Sequence, residues 1–405
     1  MSTIPFVYDH IEDFENRIIY YESSRGCPFS CSYCLSSIDK CLRFREIELV
    51  KKELQFFIDK KVPQVKFVDR TFNCRHDHAM AIWTYIHEHD NGITNFHFEV
   101  SADLLNEKEI ALINRMRPGL IQLEIGVQSA NEITIREINR TMKIDVLSTI
   151  VDKIKKGNNV HQHLDLIAGL PYEGYESFGK SFDRVYKMNP EQLQLGFLKV
   201  LKGSVMHDRA QEYGIVYQDR APYEVLSTKW LTYAEVIRLK QIEEMVEVYY
   251  NSGQFCCTMA ALEQEFASPF CMYECLAAYY DEKNAFAVSH SRIGRYEILY
   301  DFIVKTCKER SEQYMEMLTL DMYLRDNVKK RPEFLRESGV SSDEAAAFYK
   351  KEEKERTYLK AYEGYDRRQM RKMTHLERID GKTVLFDYKN RDPLTGNAAI
   401  YYLSE

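Results

Sequence analysis

The sequence predicts an α/β fold: a partial (β/α)6 barrel followed by a mainly helical C-terminal domain. Between residues 17 and about 204, short runs rich in β-branched and aromatic residues alternate with amphipathic stretches. That alternation is the pattern of βα units building a parallel sheet. Beyond about 205 the strand signals fade and long helical stretches take over. Six βα units are too few for a closed eight-stranded barrel, so the barrel is expected to be open on one side.

Residues 1–16 read as an irregular, acidic lead-in containing Pro5. The strand candidates are Ile18–Glu22, Val65–Val68, Phe96–Val100, Ile121–Gly126, His163–Ala168 and Leu193–Leu198. The first four carry the residue types strands prefer, whereas the last two lean on leucine. Helical periodicity fills the gaps at Ile47–Lys60, His78–His89, Glu107–Arg115, Asn131–Asn139, Val146–Lys156 and Tyr175–Met188. The helical domain, 205–340, holds Lys229–Tyr250, Cys256–Phe266, Phe270–Asp281, Arg295–Cys307 and Glu312–Asp326. The last segment, 341–405, reads as a charged, solvated helix over Asp343–Lys372 and a hairpin of Thr383–Tyr388 with Ala398–Leu403.

Composition narrows the function classes. Lys and Arg number 55 against 62 Asp and Glu, a net charge of −7, so a generic nucleic-acid coat is not indicated. The longest uncharged stretch, Val248–Leu262, is too short for a membrane span of roughly 20 residues. The N-terminus shows no basic and apolar signal regions, which points to a cytoplasmic protein. Its 10 cysteines are then expected as thiols or metal ligands rather than disulfides.

The sharpest chemical feature is Arg25-Gly26-Cys27-Pro28-Phe29-Ser30-Cys31-Ser32-Tyr33-Cys34, directly after the first strand. Thiolates spaced C-x3-C-x2-C can hold three irons of a cubane and leave the fourth iron open, where clusters usually have four cysteine ligands. Two other readings stand on the loop alone. Cys41 could complete a zinc knot, although the spacing fits zinc knuckles poorly, or the thiols could be inert and buried. Gly26 suits a loop whose backbone crowds a cofactor.

The loop resembles the C-x3-C-x-aromatic-C signature of the radical S-adenosylmethionine (SAM) superfamily, and the resemblance covers about residues 17–204. It is most similar to the branch of the Elongator-protein-3, methylthiotransferase and oxygen-independent coproporphyrinogen oxidase enzymes. The segments IPFVYD, KFVDRTFN, FHFE, GVQS, HLDLIAGLPYE and QLQLGFLKVLKG resemble cobalamin-type radical SAM proteins with a helical C-terminal extension. This resemblance implies a 4Fe-4S cluster on Cys27, Cys31 and Cys34, with SAM chelating the open iron. Reductive cleavage of SAM then yields a 5′-deoxyadenosyl radical that abstracts hydrogen from an unidentified substrate.

The resemblance also assigns the SAM contacts. Tyr33 packs near adenine. Asp69, Arg70 and Thr71 end the second strand where the amino group binds, with Asp-Arg replacing the usual Gly-Gly. Asp69 is expected to accept from the ammonium directly. Glu99 contacts SAM, Gln128 reaches the ribose, Arg140 holds the carboxylate, Asp165 meets a ribose hydroxyl, and Gly169 turns the chain close to adenine. No catalytic residue is assigned. Glu22, Glu124, His161, His163 and Lys199 are expected on or near the strands, facing substrate, and Lys202 beyond the last strand. His161 and His163 share one strand face but read as barrel-lining groups rather than metal ligands. Cys256, Cys257, Cys271 and Cys275 read as thiols of an aromatic-rich cap, with a second cluster as the alternative.

Cobalamin is not expected in this chain, because only a short segment precedes Ile18 and the D-x-H-x-x-G pattern is absent. A methyl- or methylthiotransferase would therefore need cobalamin from a missing or separate domain, a separate cobalamin protein being a possible partner. A non-catalytic metal-binding scaffold is the alternative of another class. The expected electron donor is a one-electron reductase such as a flavodoxin or ferredoxin.

Overall fold

The computed structural model describes residues 1–15 and 17–403. They form two compact units, Met1–Glu243 and Glu244–Glu405.

In the first unit a single sheet holds six strands in chain order: β1 (Ile19–Tyr21), β2 (Gln64–Phe67), β3 (Asn95–Val100), β4 (Ile121–Gln128), β5 (His161–Ala168) and β6 (Gln192–Phe197). Every neighbouring pair is parallel. The crossovers carry helices α1 (Ile47–Asp59), α2 (His76–Glu88), α3 (Glu107–Ile113), α4 (Glu132–Glu137), α5 (Ile144–Lys155) and α6 (Tyr175–Tyr186). This is the order of a partial (β/α) barrel. Among the described residues β1 and β6 each have one neighbour in the sheet, so it stays open. The leucine-rich β5 and β6 are strands because Leu164, Leu166, Leu193 and Leu195 all turn into the core.

Alternation along the strands positions the site. On β3, Phe96, Phe98 and Val100 are buried while Asn95, His97 and Glu99 are half exposed. The apolar set packs towards the helices: the Phe98 ring lies 6.0 Å from Trp83 of α2 and 4.5 Å from Phe67 of β2. Each such side chain contributes about 1.5–3 kcal/mol by leaving water. The opposite sheet face is left to polar side chains. The unit runs past residue 204: Met206 N donates to Ser32 O at 2.8 Å, and Val225 N to Leu198 O at 2.9 Å.

Helix α7 (Tyr233–Val246) spans the division between the units. The second unit contains α8 (Cys256–Leu262), α9 (Pro269–Glu282), α10 (Arg292–Thr306) and α11 (Ser311–Arg325). Its interior is built on tyrosine, with Tyr249, Tyr273, Tyr280, Tyr296 and Tyr314 buried. Several of the hydroxyls find backbone acceptors, as buried tyrosines require: Tyr249 bonds Arg295 O at 3.0 Å and Tyr296 bonds Gln254 O at 2.8 Å.

Two expectations for the tail are corrected. The charged run is not one solvated helix. It breaks into α12 (Ser342–Glu355) and α13 (Arg367–Lys372), with Arg356 at φ 49° between them. Tyr349, Leu359, Tyr362 and Met370 are buried in a local core, and buried Glu352 accepts from the amides of Tyr358 and Leu359. The hairpin is a three-stranded antiparallel sheet of β7 (Thr374–Ile379), β8 (Lys382–Arg391) and β9 (Ala398–Tyr402). Asp380-Gly381, at φ 48° and 71°, turns β7 into β8, a two-residue turn with a recognisable sequence signal.

Candidate functional site

The cysteine loop is shaped by residues that are not thiols. Asp69, at the end of β2, is completely buried, and its carboxylate accepts from Ser23 N at 3.0 Å, Ser23 Oγ at 2.7 Å and Ser24 Oγ at 2.6 Å. Burial raises its pKa to about 6, the serine hydrogen bonds pulling it back. Asp69 thus clamps the chain just before Cys27, and it does not face the open side where the sequence expectation had it meet an ammonium directly. Gly26 sits at φ +98°, and a Cβ there would stand 2.5 Å from Cys41 O. Only glycine meets both conditions without displacing backbone. Downstream, Ser32 N donates to Ile138 O at 3.0 Å, fastening the loop to the end of α4.

Cys27 and Cys31 are buried, Cys34 is half buried and Cys41 is exposed. Cys27 Sγ lies 3.6 Å from Thr71 Oγ1. Arg140 approaches Cys31 Sγ at 4.0 Å and the Tyr33 hydroxyl at 3.4 Å, and it also bonds Gly126 O. Burial pushes the Cys31 thiol up, and Arg140 pulls it back towards the thiolate a metal needs. Among the described residues the loop thiols do not gather within 4.8 Å as a group of three, as tetrahedral zinc would require. The zinc-knot reading therefore lacks a preformed site. A loop with two buried thiols, a third beside them and a glycine cradle fits a cluster held on three corners.

Beside the loop lie orphaned polar atoms. Arg140 Nε and Gln128 Oε1 are buried without hydrogen-bond partners. Gln128 is at φ 73° and its amide folds over Gly126, where a Cβ would meet Gln128 Nε2 at 2.3 Å. Gly169, at φ +89°, lies against Val225, so a side chain there would collide at 2.8 Å. These atoms fit the carboxylate and ribose of SAM. Arg70 is exposed and Tyr33 is largely covered.

The polar face of the sheet continues the site. Strand register sets Glu99 beside Glu124, and Glu124 beside His163. Glu124 accepts from Lys66 at 3.0 Å and lies 3.0 Å from His97 Nε2, and His97, ahead of Lys66, holds its pKa down at about 2. Burial and then Glu124 push Glu99 up to about 7. His163 Nε2 lies 3.1 Å from Asp165 Oδ1. Burial raises Asp165, and His163 opposes it. His161 and His163 do share this face. The sequence reading missed His97 and Lys66, although His97 stands two residues before Glu99 and so on its face. It also missed Glu173, which accepts from Ser129 and Ser181, both at 2.7 Å, and which burial lifts to about 7. Glu22 pairs with Arg25, and Lys199 and Lys202 are exposed. In the second unit, Cys256 and Cys257 group with Asp321 and not with Cys271 and Cys275.

Residues 21–185 match the family described as the radical SAM superfamily, and residues 211–393 match a family described as a protein of unknown function (DUF4080). The radical SAM match covers most of the six-stranded parallel sheet and includes the three-cysteine loop. A radical SAM domain of this kind implies SAM and a 4Fe-4S cluster as its cofactors. The oxygen-independent coproporphyrinogen III oxidase of Salmonella typhimurium is 29% identical over 107 residues, covering 25% of this chain and 23% of that protein. The bacteriochlorophyllide d C-12(1)-methyltransferase of Chlorobaculum tepidum is 25% identical over 178 residues, covering 42% and 37%. Among solved structures, the radical SAM methyltransferase TsrM from Kitasatospora setae aligns at TM-score 0.47 and 14% identity, over 57% of this chain and 47% of that one. The matches thus span less than half the length of these two curated relatives. No helix among the described residues is long and apolar enough to cross a membrane.

Proposed function

We propose that this chain is a radical SAM enzyme that abstracts hydrogen from a substrate held against the polar face of β2–β5. The observation that supports this reading best is the contact of the cysteine loop with Arg140, beside which Arg140 Nε and Gln128 Oε1 are buried without hydrogen-bond partners. Cys27, Cys31 and Cys34 hold a 4Fe-4S cluster. When bound, the cluster and SAM supply one-electron reductive cleavage of the sulfonium and hydrogen-atom abstraction. The chain's own part is to bind, orient and exclude water. Arg140 carries a guanidinium that stays charged despite burial, because Tyr33 and Cys31 favour the cation, and it takes the SAM carboxylate. Glu99 and Thr71 meet the ammonium end, Gln128 and Asp165 the ribose, Tyr33 and the Gly169 turn the adenine. Lys66, His97, Glu124, His161 and His163 offer donors and acceptors to a polar substrate.

Methyl transfer is the second reading, favoured by the likeness to the Chlorobaculum methyltransferase. Anaerobic incubation of reconstituted protein with dithionite and SAM tests the first. 5′-Deoxyadenosine is expected from the native chain and not from a Cys31→Ala variant. A chain that keeps its iron yet yields none is a scaffold. Near-stoichiometric retention of hydroxocobalamin through a desalting column would promote methyl transfer instead.

A further inference from the structure

The helical unit holds a second convergence of metal-binding side chains, apart from the cysteine loop. Cys256 and Cys257 open α8, Asp321 lies on α11, and a ligand atom from each falls within 4.8 Å of the others. Among the described residues no other three His, Cys, Asp or Glu side chains meet so closely. We propose that Cys256, Cys257 and Asp321 bind one thiophilic divalent cation of the zinc type, clipping α8 to α11.

The spacing suits such an ion. Cys256 Sγ lies 3.5 Å from Asp321 Oδ1. Tetrahedral zinc with Zn–S of about 2.3 Å and Zn–O of about 2.0–2.2 Å places sulfur and oxygen about 3.5–3.7 Å apart. Two sulfurs on the same ion stand about 3.8 Å apart, inside the 4.8 Å limit. In the thiol form a proton on Cys256 occupies this gap. Metal binding expels that proton and frees the oxygen lone pair that accepted it.

The carboxylate is held in place by its surroundings. Asp321 is 1% exposed, Cys257 N donates to its Oδ1 at 2.9 Å, and Thr258 N donates to its Oδ2 at 2.8 Å. Such outer bonds orient a ligating carboxylate. Capping of α8 accounts for the carboxylate alone. It does not account for two adjacent thiols gathered against it. Once both thiols lose their protons, a cation offsets the repulsion of two thiolates and a carboxylate, and sulfur selects zinc over magnesium or calcium. Cys256 is exposed, which gives the ion an entry path and leaves room for a water as fourth ligand.

The test uses the full chain with its iron–sulfur loop reconstituted anaerobically. Zinc is added, the protein is desalted, and iron and zinc are counted. One zinc beyond the iron is expected. Cys256→Ser and Cys257→Ser should lose the zinc and keep the iron, and Asp321→Asn, which preserves an oxygen for the cap, should lose the zinc as well. Cobalt in place of zinc should show a thiolate charge-transfer band in the native chain that disappears in Cys256→Ser. Should Asp321→Asn fail to fold by circular dichroism, Cys256→Ser decides, since its thiol is exposed. A native chain that retains no second metal, or zinc that survives both thiol replacements, overturns the proposal.

Discussion

The two units treat buried polar groups in opposite ways. In the first, polar residues recur at every second position on β2, β3, β4 and β5, and parallel register lines them up into one surface. Charges there face one another across strands and stay half exposed, as Lys66, His97 and Glu124 do. In the second unit, buried polar groups are spent on the backbone: Tyr249 and Tyr296 bond the carbonyls of Arg295 and Gln254, and Asp321 takes the amides of Cys257 and Thr258. A sheet face therefore keeps polar atoms open to a ligand, whereas a helical interior consumes them. The proposed chemistry sits in the first unit for that geometric reason.

The sharpest way to break this contrast is to remove thiols from each unit. Cys27→Ala, Cys31→Ala or Cys34→Ala should bring iron after reconstitution to near background, while Cys41→Ala and Cys271→Ala should keep it. Iron loss in Cys41→Ala equal to that of the loop variants would show that the loop uses a fourth thiol. Next in size is Asp69→Ala, which strands three buried donors of Ser23 and Ser24. A loss of about 3 kcal/mol in urea unfolding is expected, at about 1–3 kcal/mol per unsatisfied group after partial relaxation. An unchanged midpoint would mean that the clamp is dispensable.

Arg140→Ala should weaken SAM binding about 10- to 100-fold, as befits a charge-assisted bond of roughly 1.5–3 kcal/mol. Calorimetry on the iron-loaded variant checks this, and native affinity would remove Arg140 from the site. The smallest effect concerns Glu173, 1% exposed, which burial raises from 4.5 to about 7. The folded state holds this proton more tightly than the unfolded chain does. Its stabilising contribution is therefore complete below pH 4.5 and is lost as pH rises through about 7. Glu173→Gln, which keeps an acceptor for Ser129 and Ser181, should flatten the melting temperature over that window. Parallel melting curves for variant and native chain would show that Glu173 does not titrate there.

Legibility followed the same geometry. All six strands were readable because each carries its own apolar run, and their ends lie within two residues of expectation. The cysteine loop stood out by its spacing, which by itself left a cluster, zinc and inert thiols open. Asp69 was misplaced because its partners stand 45 and 46 residues away, and only the pairing of Tyr21 with Phe67 brings them together. The contact of Cys256 with Asp321 spans 65 residues and leaves no local trace. By contrast, β7 was missed although Asp380-Gly381 between alternating apolar residues announces it. The dense charge of the preceding segment concealed how many of its tyrosines are buried.

The Asp69 clamp bears on how the proposed cluster would be rebuilt after loss to oxygen. Ser23 and Ser24 are held by a carboxylate and not by iron, so the entrance of the loop acquires its shape during folding. The entropy of fixing that backbone, about 1–2 kcal/mol per residue, is then met before any metal arrives. A chain stripped of the proposed cluster would keep a shaped socket, and repair would be a matter of resupplying iron and sulfide rather than refolding. Hydrogen exchange makes this visible: the Ser23 amide should exchange equally slowly with and without iron, and protection that appears only on loading would mean that the metal orders the loop.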